Sequence, residues 1–586
     1  MRITRGRAVL AIFVALAALA GLVSTERPAL AASSGGVAAA GSTPALVTQD
    51  LSFTASDGTV LHASVAGSGT LAPRPLIVED SPYAPAASTL SWAGPQFNLV
   101  ELQWRGTGLS GGSLDSTGTQ DQTDLSQFLG WACTQPWSSG SIGLYGFSAS
   151  AIVVYNAMHL SLPCVKAAAL MAGTTDLYRD LLDIGGIPNI AAGVFVEAVI
   201  GGETLLNGLT RLRDEPSTIP AAALGYVSSG VDVLANPTED AFWQQRTFHG
   251  DLSQIPILAD TSFYDVEPDG PFAAFNATKQ FGSHLLVYGA HDGFPAGLPG
   301  PFPQYQNWFA HYLLGQPLSA DNQPVVSAYL SNGSRAQFLG GNVTHLTGTT
   351  WPLPGTGWTD LYLSAAHDSS VTSLNDGSLS TQPAGAATQL YPFLPSEVTE
   401  TDLHNTALVD SELDALGQAL PELNDMALSN LTSLTYTSPP LTQPFTMVGP
   451  GALDVQLSSL EPVTDVYGVV ADVAPDGTAY PVATGALRTS FPNVLPACSL
   501  SDTQGEVVDP CNDFSQTSDA SSGTTRSYQV ELLPMGNVFA AGSRIRVYLL
   551  GTPLDQLPSL PGLNAVTLGG PSGSRLILPG LGSPQF

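Results

Sequence analysis

Two runs with opposite conformational preferences meet at one serine. Ile142–Tyr145 is a short apolar run of strand character, and Ala149–Leu160 reads as a helix. Only Gly146-Phe147-Ser148 separates them, so the chain has to reverse its backbone sense within about one residue. Such a turn tolerates only small neighbours, and Gly146, Ala149 and Ser150 are small. A serine held on a strand–turn–helix junction stands above the sheet edge, where a nucleophile is reachable. A strict G-x-S-x-G pattern also occurs, at Gly108-Leu109-Ser110-Gly111-Gly112. It continues into Gly112-Ser113-Leu114-Asp115-Ser116, which is loop, so Ser148 and not Ser110 is the candidate nucleophile.

The surrounding pattern agrees with that junction. From Leu51 to about Gly315, short apolar runs (Leu76–Val78, Leu99–Leu102, Ala167–Met171, Ile257–Ala259, Leu285–Tyr288) alternate with helical spacings such as Leu125, Phe128, Leu129 and Ala132. Tyr305, Trp308, Phe309, Tyr312 and Leu313 mark a closing helix that stops at Gly315. Strands alternating with helices predict a mostly parallel sheet covered on both faces, here an α/β hydrolase core over 49–320. Residues 176–248 break the rhythm and read as an inserted helical cap, with apolar runs at Ala191–Ile200 and Leu205–Leu212. From 321 to 586 the period becomes two, as at Tyr467, Val469, Ala471 and Val473, with a hairpin turn at Pro475-Asp476-Gly477. Ile545, Val547 and Leu549 alternate with Arg544, Arg546 and Tyr548. This second part predicts an all-β jelly-roll sandwich, with Glu397–Asp425 as a solvated acidic insertion.

The N-terminus and the composition set the setting. Arg2, Arg5 and Arg7 precede an apolar run from Ala8 to Val23, and Ala29-Leu30-Ala31 is a small-x-small cleavage site. Residues 1–31 therefore read as a signal peptide, a retained anchor being the alternative, and the Ala/Gly/Ser-rich 32–48 as a linker. Cys133 with Cys164, and Cys498 with Cys511, suit two local disulfides in an exported protein, with buried free thiols as the alternative. The chain carries 49 acidic against 18 basic residues, a formal charge of −31, which excludes the cationic footprint that nucleic acid requires. No C-x-x-C or H-x-x-x-H spacing suggests a metal, and no membrane partner is expected after signal cleavage.

Several stretches, in order, resemble the CocE/NonD-type serine hydrolases of the cocaine esterase / X-Pro dipeptidyl-peptidase family. Trp137-Ser-Ser-Gly140-Ser-Ile-Gly143-Leu-Tyr-Gly146-Phe-Ser148 resembles the nucleophile region of that family. Ser81-Pro82-Tyr83 resembles its oxyanion tyrosine motif, and Arg105–Gly112 its glycine-rich turn. Asp176-Leu177-Tyr178-Arg179-Asp180 resembles the entry to its cap, and Phe263-Tyr264-Asp265 its acid motif. Ala471–Gly477 and Ala541–Arg546 resemble its C-terminal jelly roll. Ala149 and Ala151 stand where the family usually has Tyr and Gly, Gln103 where it usually has Asp, and Ser543 where it usually has His.

The remaining site residues follow from chain order and from that resemblance. In this fold the order is Ser, then Asp or Glu, then His. His291, after the last strand candidate and before the closing helix, is the expected base; His284 begins the strand and His311 lies within the helix. Asp265 and Asp260 both follow Ile257–Ala259 as candidate acids, and the resemblance favours Asp265. The Ala149 N–H is one oxyanion donor, and the resemblance makes the Tyr83 hydroxyl the second. Glu267 stands where α-amino acid ester hydrolases carry a carboxylate, which makes it a possible contact for a substrate amine. Small residues at Ala149 and Ala151 are expected to leave the floor of the site open.

The expectation is thus a secreted serine hydrolase, without cofactor, acting on a small ester or a short peptide, with esters favoured. X-Pro dipeptidyl-peptidase or α-amino acid ester hydrolase activity is the alternative. A non-catalytic binding protein on a retired hydrolase fold is the reading from another class.

Overall fold

The computed structural model describes residues 45–190, 235–250, 254–289, 293–373, 375–394, 429–553, 556–570 and 572–586, with 192–193, 200–201, 233 and 426 between them. Outside the described residues lie the expected signal peptide 1–31, most of the linker, most of the cap, His291 and the acidic stretch Glu397–Asp425.

Among the described residues, ten strands build the N-terminal sheet: β1 (Leu46–Thr54), β2 (Val60–Ser68), β3 (Arg74–Ser81), β4 (Asn98–Gln103), β5 (Ser138–Phe147), β6 (Val165–Met171), β7 (Ile257–Thr261), β8 (His284–Val287), β9 (Val326–Ser331) and β10 (Val343–Gly348). Their spatial order is β1-β2-β4-β3-β5-β6-β7-β8-β9-β10. From β4 to β9 every pairing is parallel; β2 and β10 run against their neighbours. Among the described residues, the longer helices that flank it are α1 (Thr119–Cys133), α2 (Ala149–Ala157), α3 (Gly270–Thr278) and α4 (Phe302–Leu314).

Side-chain alternation along the strands separates two cores. Leu76, Val78, Leu144, Ala168 and Ala259 are buried against α1, α2 and α3, through Leu125, Phe128, Val153, Val154, Phe272 and Phe275. On the opposite face Ile77, Tyr145, Ala167, Ala169 and Leu258 are buried against Tyr305, Trp308 and Phe309 of α4. This is an α/β hydrolase core, and its middle strands are apolar on both faces because both faces are covered.

Two boundaries differ from the sequence reading. β1 begins at Leu46, inside the expected linker 32–48, and pairs along its whole length with β2. Its first residues are exposed, so this edge strand lacks the apolar alternation by which strands are recognised. The sheet also continues past 320, because β9 joins β8 in parallel and β10 extends it. Of the cap, the described residues hold a helical turn at Tyr178–Leu182, another at Ile184–Gly186 and the short helix Ala241–Gln244.

The C-terminal part is a β-sandwich. One layer orders Asn375–Ser380, Leu434–Thr437, Arg544–Leu550, Asp465–Val473 and Ala479–Arg488. The other is built on the long strand Phe445–Ser459, paired with Arg526–Phe539, Gly562–Leu568 and Arg575–Leu581. Leu453, Val455, Val470, Val530, Ile545 and Val547 fill the space between the layers. The hairpin at Pro475-Asp476-Gly477 is present, closed by Ala474 and Thr478 at 2.8 Å. The sandwich is seated on the hydrolase core. Trp351, Leu353 and Val448 are buried in the same cluster as Phe263 and Phe272. The cysteines pair as Cys133–Cys164 and Cys498–Cys511, with Cα–Cα distances of 6.2 and 5.7 Å. The first bridge ties the end of α1 to the start of β6. No helix among the described residues is long and apolar enough to cross a membrane.

Candidate active site

Ser148 lies between β5 and α2 at φ 54°, ψ −124°, a conformation that costs an L-residue on the order of 1–3 kcal/mol. The turn is held from both ends. The Ser148 N–H donates to the Met171 carbonyl at 3.0 Å, and the Ser148 carbonyl accepts from Ala151 at 2.8 Å, opening the helix. The turn also dictates its small neighbours. A Cβ at Gly146 would stand 2.5 Å from the Ser150 carbonyl oxygen and 2.6 Å from the Ala151 nitrogen. Ala151, where the resembling family usually has Gly, is accommodated from outside the motif: it packs on Gly173, where a Cβ would stand 2.6 Å from its own. Ala151 is fully buried and therefore no part of the floor of the site, contrary to expectation.

Ser110, the serine of the strict pattern, is placed as the sequence context implied. It is buried, donates to the Gln103 carbonyl at 2.7 Å and accepts from the His62 N–H at 2.9 Å. Gln103 itself braces the glycine-rich turn, its Oε1 accepting from Leu109 N–H at 2.6 Å. Arg105 anchors the turn to α1 through both oxygens of Asp124.

Tyr83, on the loop after β3, meets Ser148 from the strand next to β5. The Ala149 N–H donates to the Tyr83 phenol oxygen at 3.3 Å, and the phenol is also hydrogen-bonded to the Ser148 hydroxyl. Burial pushes the Tyr83 hydroxyl up to about 12, against the opposing effect of its bonds to Ser148 and Ala149. It therefore keeps its proton at neutral pH and remains a donor. Two hydrogen-bond donors and a serine hydroxyl thus converge at one spot, the arrangement that acyl transfer requires.

The acidic residues separate by partner. Asp260, at the end of β7, accepts from the Tyr305 hydroxyl of α4, and burial pushes its carboxyl well above the usual range. Asp265 sits five residues on, buried in the loop after β7, with Oδ1 accepting from Val266 N–H at 2.8 Å. Glu267 is also buried, and burial raises its carboxyl well above the usual range, with Asp265 and Asp180 pushing the same way. Asp180 of the cap entry accepts from Thr174 Oγ1.

Two residues with a part in this arrangement escaped the sequence reading. Ser262 donates to the Gly289 carbonyl and accepts from Tyr264 N–H at 2.9 Å, so it bridges the loop of Asp265 and the chain that leads from β8 to His291. Thr174 holds Asp180. Neither stands in a recognisable motif; only their spatial neighbours reveal them.

Comparisons with known proteins agree with this architecture. Residues 57–292 match the X-Pro dipeptidyl-peptidase (S15 family), and residues 321–568 match the X-Pro dipeptidyl-peptidase C-terminal non-catalytic domain. The chain is 23% identical over 527 residues to the cocaine esterase of Rhodococcus sp. (strain MB1 Bresler), covering 81% of this chain and 85% of that one. Among solved structures, a CocE/NonD family hydrolase from Staphylococcus aureus aligns at TM-score 0.70 and 18% identity, covering 91% of this chain and 94% of its own. An α-amino acid ester hydrolase aligns at TM-score 0.68 and 17% identity, covering 95% of this chain and 100% of its own. At such identities these structures speak for the fold. With its two halves matched in tandem by the catalytic and C-terminal regions of one enzyme type, the chain belongs to the CocE/NonD serine hydrolases of the cocaine esterase / X-Pro dipeptidyl-peptidase family.

Proposed function

We propose that the protein is an exported serine hydrolase that cleaves small acyl esters through Ser148, His291 and Asp265. The observation that carries this reading is the convergence of Tyr83 and the Ala149 N–H on the strained Ser148. His291 takes the Ser148 proton as the hydroxyl oxygen attacks the acyl carbon. Asp265 holds the imidazole tautomer and stabilises the imidazolium. The carbonyl oxygen, now negative, is stabilised by the Tyr83 hydroxyl and the Ala149 N–H in place of their contact with each other. His291 then protonates the leaving group, and water repeats the sequence to release the acid. Nothing in these steps calls for a cofactor. Export is supported by the two disulfides and by the cationic–apolar start of the chain.

A fluorophosphonate probe followed by peptide mapping tests the assignment. The adduct is expected on Ser148 alone; an adduct on Ser110, or none on Ser148, would refute it. Tyr83→Phe is expected to leave the fold intact and to lower kcat by roughly 10²-fold with a smaller change in KM, since an oxyanion donor acts mainly in the transition state. Unchanged kcat on every accepted substrate removes Tyr83 from the site.

Esters are the favoured substrates, because an alkoxide or phenoxide leaves with less help than an amine. The competing reading, hydrolysis of α-amino esters or Xaa-Pro amides, rests on Glu267, whose Oε2 has no hydrogen-bond partner among the described residues. An ammonium brought beside it would restore its charge. Aryl esters of short acids are therefore expected to turn over faster than Xaa-Pro arylamides. Should the amides win, and Glu267→Gln abolish that activity while sparing simple esters, the amine-binding reading replaces this one.

A further inference from the structure

The loop that carries Asp265 is seated against the C-terminal sandwich by a contact that only glycine permits. Phe263, two residues before Asp265, is 5% exposed. Its ring lies 6.2 Å from Phe272 of α3 and 6.2 Å from Trp351, which themselves stack at 4.4 Å. The remaining side of this slot is Gly536, on the sandwich strand Arg526–Phe539. A Cβ there would stand 2.3 Å from Phe263 Cε2 and 2.7 Å from Cδ2 and Cζ. Neither partner can yield cheaply. Phe263 is walled by the two rings, and the neighbouring Tyr264 is held by Ser262 and by the Phe338 ring at 5.2 Å. On the sandwich side Asn537 donates to Asp472 at 3.1 Å and accepts from Gly333 N–H at 3.3 Å, pinning the strand beside Gly536.

We infer that Gly536, in the domain matched as non-catalytic, is a positioning residue for the catalytic acid. By lacking a side chain it lets Phe263 seat, and the seated ring fixes the loop from which Asp265 reaches the base. The inference rests on the proposed role of Asp265. A Cβ at 536 moves the ring as a body, and the acid loop with it; a displacement of about 1 Å in a catalytic group is enough to cost on the order of 10²-fold in rate.

The test uses the full-length enzyme, with active sites counted by fluorophosphonate incorporation. Gly536→Ala is expected to lower kcat per counted site by roughly 10- to 100-fold, with KM changed by no more than about twofold. The acid limb of the pH profile is expected to move to lower pH, because a displaced carboxylate stabilises the imidazolium less. A purely structural role would alter thermal stability and the number of sites but not this limb. In a Phe263→Leu background the added Cβ meets less, so its cost is expected to shrink to under about threefold, a coupling that a double-mutant cycle reads directly. An unmoved limb with wild-type kcat per site, or the same cost of Gly536→Ala in both backgrounds, overturns the inference. If Gly536→Ala gives no soluble protein, Phe263→Leu alone decides: it loosens the same slot, and unchanged kcat and pH limb overturn the inference. Asp265→Asn separates the two levels. If that variant keeps wild-type kcat, the acid assignment has failed; if it loses activity while Gly536→Ala does not, only the positioning role has failed.

Discussion

Ser148→Ala is expected to lower kcat by about 10⁶-fold, the scale seen when a serine nucleophile is removed from a complete triad. KM should change little, because the hydroxyl contributes mainly to bond formation. The same variant should lose the fluorophosphonate adduct. Ser148→Gly adds a second, independent reading. At φ 54°, ψ −124° only glycine is free of strain, so this variant should be equally inactive but more stable than the wild type by about 1 kcal/mol. Urea denaturation measures the gain. Activity within a hundredfold of wild type in Ser148→Ala removes the nucleophile assignment, and a less stable Ser148→Gly contradicts the strain at the turn.

Asp265→Asn is expected to lower kcat by about 10⁴-fold with little change in KM, because an amide cannot accept from and orient the imidazole N–H as a carboxylate does. The informative comparison is Asp260→Asn. Burial already favours the neutral form of Asp260, and its partner is the Tyr305 hydroxyl on α4. An amide there resembles the protonated acid in shape and keeps an acceptor for Tyr305, so kcat should stay within a few-fold of wild type. Steady-state kinetics on one ester decides between them. A 10⁴-fold loss in Asp260→Asn with a mild effect in Asp265→Asn would exchange their roles.

These residues differ in how far neighbouring amino acids alone reveal them. The Ser148 turn is a local event: strand-forming and helix-forming runs abut, and Gly146 is required within the same few residues. The rejection of Ser110 is local for the same reason, since loop residues follow it. That the sheet is mostly parallel followed from the alternation of runs, and the sandwich from its period of two. The edge strand β1 failed that test, because its first half is exposed and pairs through its backbone alone. In Arg544–Leu550 the alternation places Arg546 opposite the apolar residues, and the structure buries it too, with its Nε donating to Thr437 Oγ1 at 2.8 Å. Period two reports that a strand has two faces; whether the second is covered depends on what packs there.

The class of chemistry, and the places along the chain proposed for it, are written in the amino-acid order. A serine between abutting strand and helix, with Asp260 or Asp265 and then His291 later in the chain, implies a nucleophile on an α/β sheet, because backbone sterics and chain order act through neighbouring residues. Which carboxylates are committed elsewhere is settled only by the folded molecule, since Asp260 is distinguished by a tyrosine on a distant helix. The fold alone brings Gly173 to make room for Ala151, and Gly536 of the second domain against the loop of the acid. Such contacts join residues far apart in the chain. They are fixed by close packing, in which a single methyl group finds or lacks space, and no periodicity in the sequence encodes that.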